Sequence, residues 1–162
     1  LVIDGLPDDT WHGWKWLKHD NPWRLYFNVG APCNICEPEE GYAAITRMNP
    51  DGSNMEIVQR GIRNTVGFTW HPDNKELWFT DNGRDWLGDD SPSCELNRVD
   101  EEGLFYGFPF EHATDIKDPE FGDISSGYDY FALFGYFFPE FSIIELLVIK
   151  LSGRIINILY IK

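Results

Sequence analysis

The chain has 162 residues, enough for one ordinary domain with a sizeable core. Its net charge of −14 argues against a nucleic-acid partner, because phosphate backbones select basic faces. An aromatic content of 16%, with seven Trp and twelve Phe, sets it apart from a disordered chain despite that charge. Most of the carboxylates read as a solubilising surface, which would suit calcium or solvent equally well.

The chain begins at Leu1 with no signal peptide or transit segment, so it reads as a processed product or a piece of something longer. Pro7-Asp8-Asp9 predicts a turn, followed by Trp11, His12 and Trp14. Spacing alone makes His12 a turn histidine packed by those two indoles. His19–Gly30, HDNPWRLYFNVG, is a Pro/Asn/Asp turn, then a short alternating strand over Leu25–Val29, then glycine.

Cys33-Asn34-Ile35-Cys36 has CxxC spacing, but no second CxxC or His pair completes a zinc site. A local disulfide or two buried thiols is the expected state, with a redox role as the alternative if Glu37-Pro38-Glu39-Glu40 opens a helix. Cys94 is the odd third cysteine and by itself leaves the compartment open.

Ala44–Met48 predicts a strand that runs into the turn Asn49-Pro50-Asp51-Gly52. Arg63 and Asn64 precede the next strand, and HPDNKELWFTDNG (His71–Gly83) repeats the design of His19–Gly30. His19 and His71, Leu25 and Leu77, Tyr26 and Trp78, and Phe27 and Phe79 all stand 52 positions apart. Leu96-Asn97-Arg98-Val99 before Asp100-Glu101-Glu102-Gly103 continues the echo of Ala44–Gly52. A repeat near that length, built from short strands and Gly/Asp turns, signals four-stranded β-propeller blades. About two are present, with Leu25–Val29 and Leu77–Thr80 as equivalent strands.

After Gly122 the composition changes. DISSGYDYFALFGYFFPEF is aromatic, and FSIIELLVIKLSGRIINILYIK is apolar but interrupted by Glu145, Lys150 and Arg154. It falls short of the roughly 20 apolar residues of a spanning helix, so no membrane span is expected. Ser152-Gly153 could turn a hairpin, although the flanking runs lack clean alternation. Residues 1–122 form the expected propeller segment. Residues 123–162 form an apolar tail, read either as a true extension or, preferably, as non-native coding sequence such as a read-through intron or a frameshift.

Taken together, GLPDDTWHGWKWL, LYFNVGAPCNIC, ITRMNPDGS, RGIRNTVGFTWHP, ELWFTDNGRDWLGDD, ELNRV and YGFPF resemble the glucose/sorbosone dehydrogenase family, the sorbosone branch above all. The resemblance implies an all-β, six-bladed propeller that oxidises a sugar or aldehyde with pyrroloquinoline quinone, calcium and an external electron acceptor. It implies that His12 is the general base for the anomeric hydroxyl proton, a role that suits imidazole. Arg63 and Asn64 would be cofactor-binding, Arg63 by stabilising negative charge on the quinone and Asn64 by hydrogen bonding. Gly83 and Arg84 would bind calcium through backbone carbonyls, without an EF-hand pattern. Asp85, Asp89 and Asp90 read as solvated loop charges, and Glu95 and Asn97 as residues that pin a blade turn.

The expected location is extracytoplasmic or secreted. Other function classes remain open: a non-catalytic binding propeller, and an inactive truncated product. Retention of His12, Arg63 and Asn64 together favours the enzyme.

Overall fold

A computed structural model describes residues 2–20, 23–113 and 115–124, together with the backbone of two strands at 146–151 and 154–159. Four strands form the first sheet: β1 (Leu17–His19), β2 (Leu25–Val29), β3 (Ala44–Met48) and β4 (Glu56–Arg60). They pair in chain order as an antiparallel meander. The second sheet repeats the meander with β5 (Phe68–Trp70), β6 (Leu77–Asp81) and β7 (Glu95–Arg98). A short ladder of β8 (Glu111–His112) and β9 (Ile116–Lys117) follows.

The repeat in the sequence is a repeat in space. Leu25–Val29 and Leu77–Asp81 each occupy the second position of a sheet, and Tyr26↔Arg47 recurs as Trp78↔Arg98. The turns differ in how they are tied. Between β1 and β2 the Asp20 carboxylate accepts from the Arg24 backbone at 2.8 Å and from its guanidinium at 2.9 Å. Between β3 and β4 Gly52 has a φ of +86°, and a Cβ there would lie 2.8 Å from the Val2 carbonyl, so glycine is required.

Among the described residues the second sheet has three strands, where a complete blade would have four. The chain after β7 instead returns to the first sheet. Arg60 donates to the Leu104 carbonyl at 3.1 Å, Tyr106 donates to the Arg60 carbonyl at 2.8 Å, and Arg60 and Phe105 form a parallel bridge. These residues bind β4 and so are not available to extend β7. That crossover ties the sheets together.

Strand periodicity sorts the side chains. Tyr26 joins Ile45, Val58, Ile62, Phe68, Leu77, Phe79 and Tyr106 in a core shared by both sheets, while Phe27 and Val29 face Met48 on the other side. Asn28 shares the Tyr26 face and is buried. Its Nδ2 donates to the carbonyls of Trp14 and Thr65 at 3.0 and 2.8 Å, linking the N-terminal loop to the turn beyond β4.

β10 (Leu146–Leu151) and β11 (Arg154–Leu159) pair as an antiparallel hairpin in a sheet of their own, with Leu151 opposite Arg154. Of the aromatic stretch at 123–141, residues 125–141 lie outside the described residues. No helix among the described residues is long and apolar enough to cross a membrane.

Candidate functional site

Three chain segments meet at the ends of β2, β4 and β6. Gly61, with a φ of +70°, leaves β4 where a Cβ would lie 2.9 Å from the Tyr106 nitrogen. The turn beyond it places Arg63 and Asn64 against the end of β6, where Asp81 receives both backbone N–H groups. Asp81 Oδ2 accepts from Arg63 N at 2.9 Å and Oδ1 from Asn64 N at 2.6 Å. Asp81 stands opposite Glu95 across the β6–β7 ladder, and both are buried. Burial lifts both carboxyl groups far above the usual range, and for Glu95 the neighbouring Asp81 adds to the effect.

Arg63 is 3% exposed, and its side chain makes five contacts through its N–H groups. Nε donates to the Asn34 carbonyl at 2.8 Å and Nη2 to Asn34 Oδ1 at 2.7 Å. Nη1 reaches the Asn82 and Gly83 carbonyls at 3.2 and 2.8 Å, and Nη2 meets Asp85 Oδ2 at 3.3 Å. A guanidinium has five N–H donors, so each has a protein acceptor and Arg63 acts on its surroundings through its field. A direct hydrogen bond from it to a quinone, as the resemblance implied, would first require one of these contacts to open.

His12 belongs to the same cluster. A Cβ on Gly30 would lie 2.5 Å from His12 Cβ and 3.4 Å from the Arg63 carbonyl, so glycine is what lets the N-terminal loop and the Arg63 turn close over the end of β2. Ala31 donates its N–H to the Arg63 carbonyl at 2.8 Å, and its own carbonyl meets His12 Nδ1 at 2.7 Å. A carbonyl only accepts, so Nδ1 carries the proton and Nε2 the lone pair. Burial lowers the His12 pKa, the Ala31 bond opposes that, and the Arg63 charge lowers it further.

Asn64 holds the opposite kind of opportunity. Its Oδ1 is buried without a hydrogen-bond partner, as is Asn82 Oδ1 beside it, where Asn82 N donates to the Asn64 carbonyl at 3.1 Å. Acceptors of this kind fit hydroxyl or N–H donors of a bound molecule. Arg84 turns its side chain the other way. Its Nη1 meets buried Asp118 at 2.6 Å and its Nη2 meets Glu120 at 3.2 Å, while His112 Nε2 also contacts Asp118 at 2.8 Å. This network anchors residues 82–85 to the β8–β9 region.

Calcium was expected at the Gly83 and Arg84 carbonyls. The Gly83 oxygen already accepts from the Arg63 guanidinium, and a divalent ion there would meet like-charge repulsion of several kcal/mol. Among the described residues no group of three or more His, Cys, Asp or Glu side chains is placed to hold a metal ion. The arrangement present does not fit calcium at Gly83. Nor do its cations suit the carboxylates of pyrroloquinoline quinone, since Arg63 and Arg84 are both engaged by protein acceptors.

Sequence reasoning missed Asn34, Asp81 and Gly30. Asp85 is exposed, as expected of a solvated loop charge, and it also pairs with Arg63 at 3.3 Å. The available signal for Asn34 was its place between two cysteines, which are indeed joined as a disulfide.

No protein-family model matches the chain. An uncharacterised Borreliella burgdorferi protein is 36% identical over 108 residues, which is 66% of this chain and 28% of that protein. A calcium structure of a Trichoderma reesei carbohydrate-active enzyme of family AA12 matches with a TM-score of 0.56 at 22% identity, over 62% of this chain and 32% of that one. An iodide structure of the same family matches at 0.57 and 23% identity, over 73% and 36% of the two chains. A Thermus thermophilus oxidoreductase described as a glucose dehydrogenase matches at 0.56 and 23% identity, over 85% and 42%. The likeness to these solved structures is one of fold, and the chain spans less than half the length of each of these relatives.

Proposed function

We propose that this chain carries the proton-accepting part of a sugar or aldehyde dehydrogenase, with His12 as the general base. The observation that carries this reading is the His12–Ala31 contact at 2.7 Å, which fixes the tautomer with Nε2 as the acceptor. Burial and the Arg63 charge keep the imidazole neutral near pH 7, the state a base needs. The proton of an anomeric hydroxyl would pass to Nε2, and Asn64 Oδ1, enclosed by protein here, would accept from a second donor of the substrate once uncovered. The positive field of Arg63 would favour the alkoxide that forms as the proton leaves.

Hydride departure from the same carbon requires a two-electron acceptor. Pyrroloquinoline quinone together with an external electron acceptor, both implied by the resemblance, would supply that capacity if held by groups other than Arg63 and Arg84. The groups that would hold it, and any calcium, fall to further blades of a longer protein. The fold likeness to a glucose dehydrogenase and to a carbohydrate-active enzyme supports a sugar substrate. The Cys33–Cys36 disulfide supports an extracytoplasmic or secreted location. A second reading, a non-catalytic binding propeller, draws on the full engagement of Arg63 by the protein itself.

The test is dye reduction with glucose or sorbosone in the presence of the quinone and calcium. This chain alone should be inactive, and a protein extended to the length of the solved neighbours should be active. In the extended protein His12→Ala should lower kcat by about 10²–10⁴-fold. The wild-type rate should fall only below the ordinary histidine range, where His12 becomes protonated. Unchanged turnover in His12→Ala overturns the assignment, and an extended protein without turnover favours the binding module.

A further inference from the structure

The Cys33–Cys36 disulfide closes a loop with a sequence separation of 3, and the residue directly after its first cysteine is buried Asn34, 7% exposed. The hydrogen bonds of Asn34 run to parts of the chain remote in sequence. Its carbonyl and its Oδ1 together grip the Nε and Nη2 edge of Arg63, at 2.8 and 2.7 Å. Oδ1 also accepts from Asp85 N at 2.8 Å, and Nδ2 donates to the Asp85 carbonyl at 3.1 Å. One side chain and its own peptide group therefore set both the guanidinium and the loop beyond β6.

We propose that Asn34 is the positioning residue for Arg63 and residues 83–85, and that the Cys33–Cys36 disulfide holds it in place, so that reducing the disulfide releases Arg63. The significance of Arg63 rests on the functional reading above, but the clamp itself does not. A fork made of a carbonyl and an amide oxygen orients a guanidinium as a carboxylate would, without cancelling its charge. Two carboxyl groups act on Arg63: Asp81, whose own pKa burial lifts to about 7, and Asp85, which with a side chain 52% exposed screens it weakly. The positive field at His12 is thereby preserved.

The grip depends on the backbone as well as the side chain, because one arm of the fork is the Asn34 peptide carbonyl. The disulfide restrains that peptide group from both flanks. Reduction by a dithiol delivers two electrons and two protons, breaks the S–S bond and forms two thiols, while the dithiol becomes its own disulfide. The ring restraint is then lost, and two of the five Arg63 contacts with it.

The test follows solvent exchange of the Arg63 Nε–H by NMR in the full chain. Its resonance is assigned by its loss in Arg63→Lys, and Cys94→Ala removes the third thiol. Oxidised protein should protect this proton, and dithiol treatment should speed its exchange by about tenfold or more. Asn34→Ala should exchange fast in either redox state. Asn34→Asp keeps both acceptor contacts and should remain protected when oxidised. Fold is checked by amide exchange in β2 and β6, which should be unchanged in all of these. If Asn34→Ala unfolds, the Cys33→Ser/Cys36→Ser variant supplies the same comparison. Protection that survives reduction in a folded chain overturns the proposal. The readout needs no turnover, so its failure and that of the dehydrogenase reading are separable.

Discussion

Glu95 illustrates how a single residue binds the site to its pH environment. Its Oε1 accepts from Ala113 N at 2.8 Å and its Oε2 from Asn97 Nδ2 at 3.0 Å, in a position closed to water. Burial, then the Asp81 carboxyl opposite, lifts its pKa to about 8. The unfolded chain releases this proton near pH ~4.3, whereas the folded chain retains it. The stability that Glu95 contributes is therefore full below pH ~4.3 and is lost as pH rises to about 8. Glu95→Gln should match wild type to within about 1 kcal/mol at pH 5, and exceed it by on the order of 2 kcal/mol at pH 9. Urea denaturation at the two pH values measures this. A variant equally destabilised at both would show that Glu95 is held as an anion.

At the scale of elements, the end of β2 decides whether the site assembles. Asn28 reaches the Trp14 and Thr65 carbonyls, Gly30 admits His12, and Ala31 joins Arg63 to His12. Gly30→Ala would place a Cβ 2.5 Å from His12 Cβ, and backbone on both sides leaves little room to adjust. The expected cost is about 1–3 kcal/mol, the range for overpacking. The His12 imidazole resonances should shift with it as the Ala31 contact is lost. Thermal unfolding together with imidazole NMR tests this, and an unperturbed His12 would mean that the N-terminal loop is not seated on β2.

For the molecule as a whole, the two sheets should unfold as one. Tyr26, Ile45, Val58 and Ile62 come from the first sheet and the turn beyond it. Phe68, Leu77 and Phe79 come from the second, and all seven belong to one core. Phe79 is completely buried and packs edge-on against Tyr106 at 4.8 Å. Phe79→Ala should cost about 3–5 kcal/mol. Circular dichroism and tryptophan fluorescence should still report coincident urea transitions. Separate transitions would show that the sheets are independent units.

The sequence by itself determined the local pattern. Alternating apolar residues and Gly/Asp turns placed β2 and β6 and revealed their repeat, because strand period and turn chemistry act over a few residues. It also marked His12, Arg63, Asn64, Gly83 and Arg84, through a resemblance; the structure puts the Arg63 guanidinium on the Gly83 carbonyl and links its backbone through Ala31 to His12, while the Arg84 side chain runs to Asp118. Only the tertiary structure decided what engages them. The occupation of Arg63 by Asn34 and Asp85 spans separations of 29 and 22 residues, and the return of Phe105 to Arg60 ties the chain beyond β7 to the first sheet. Such pairings depend on which backbone groups are brought within about 3 Å once the strands are stacked, and that distance has no local signature in the chain.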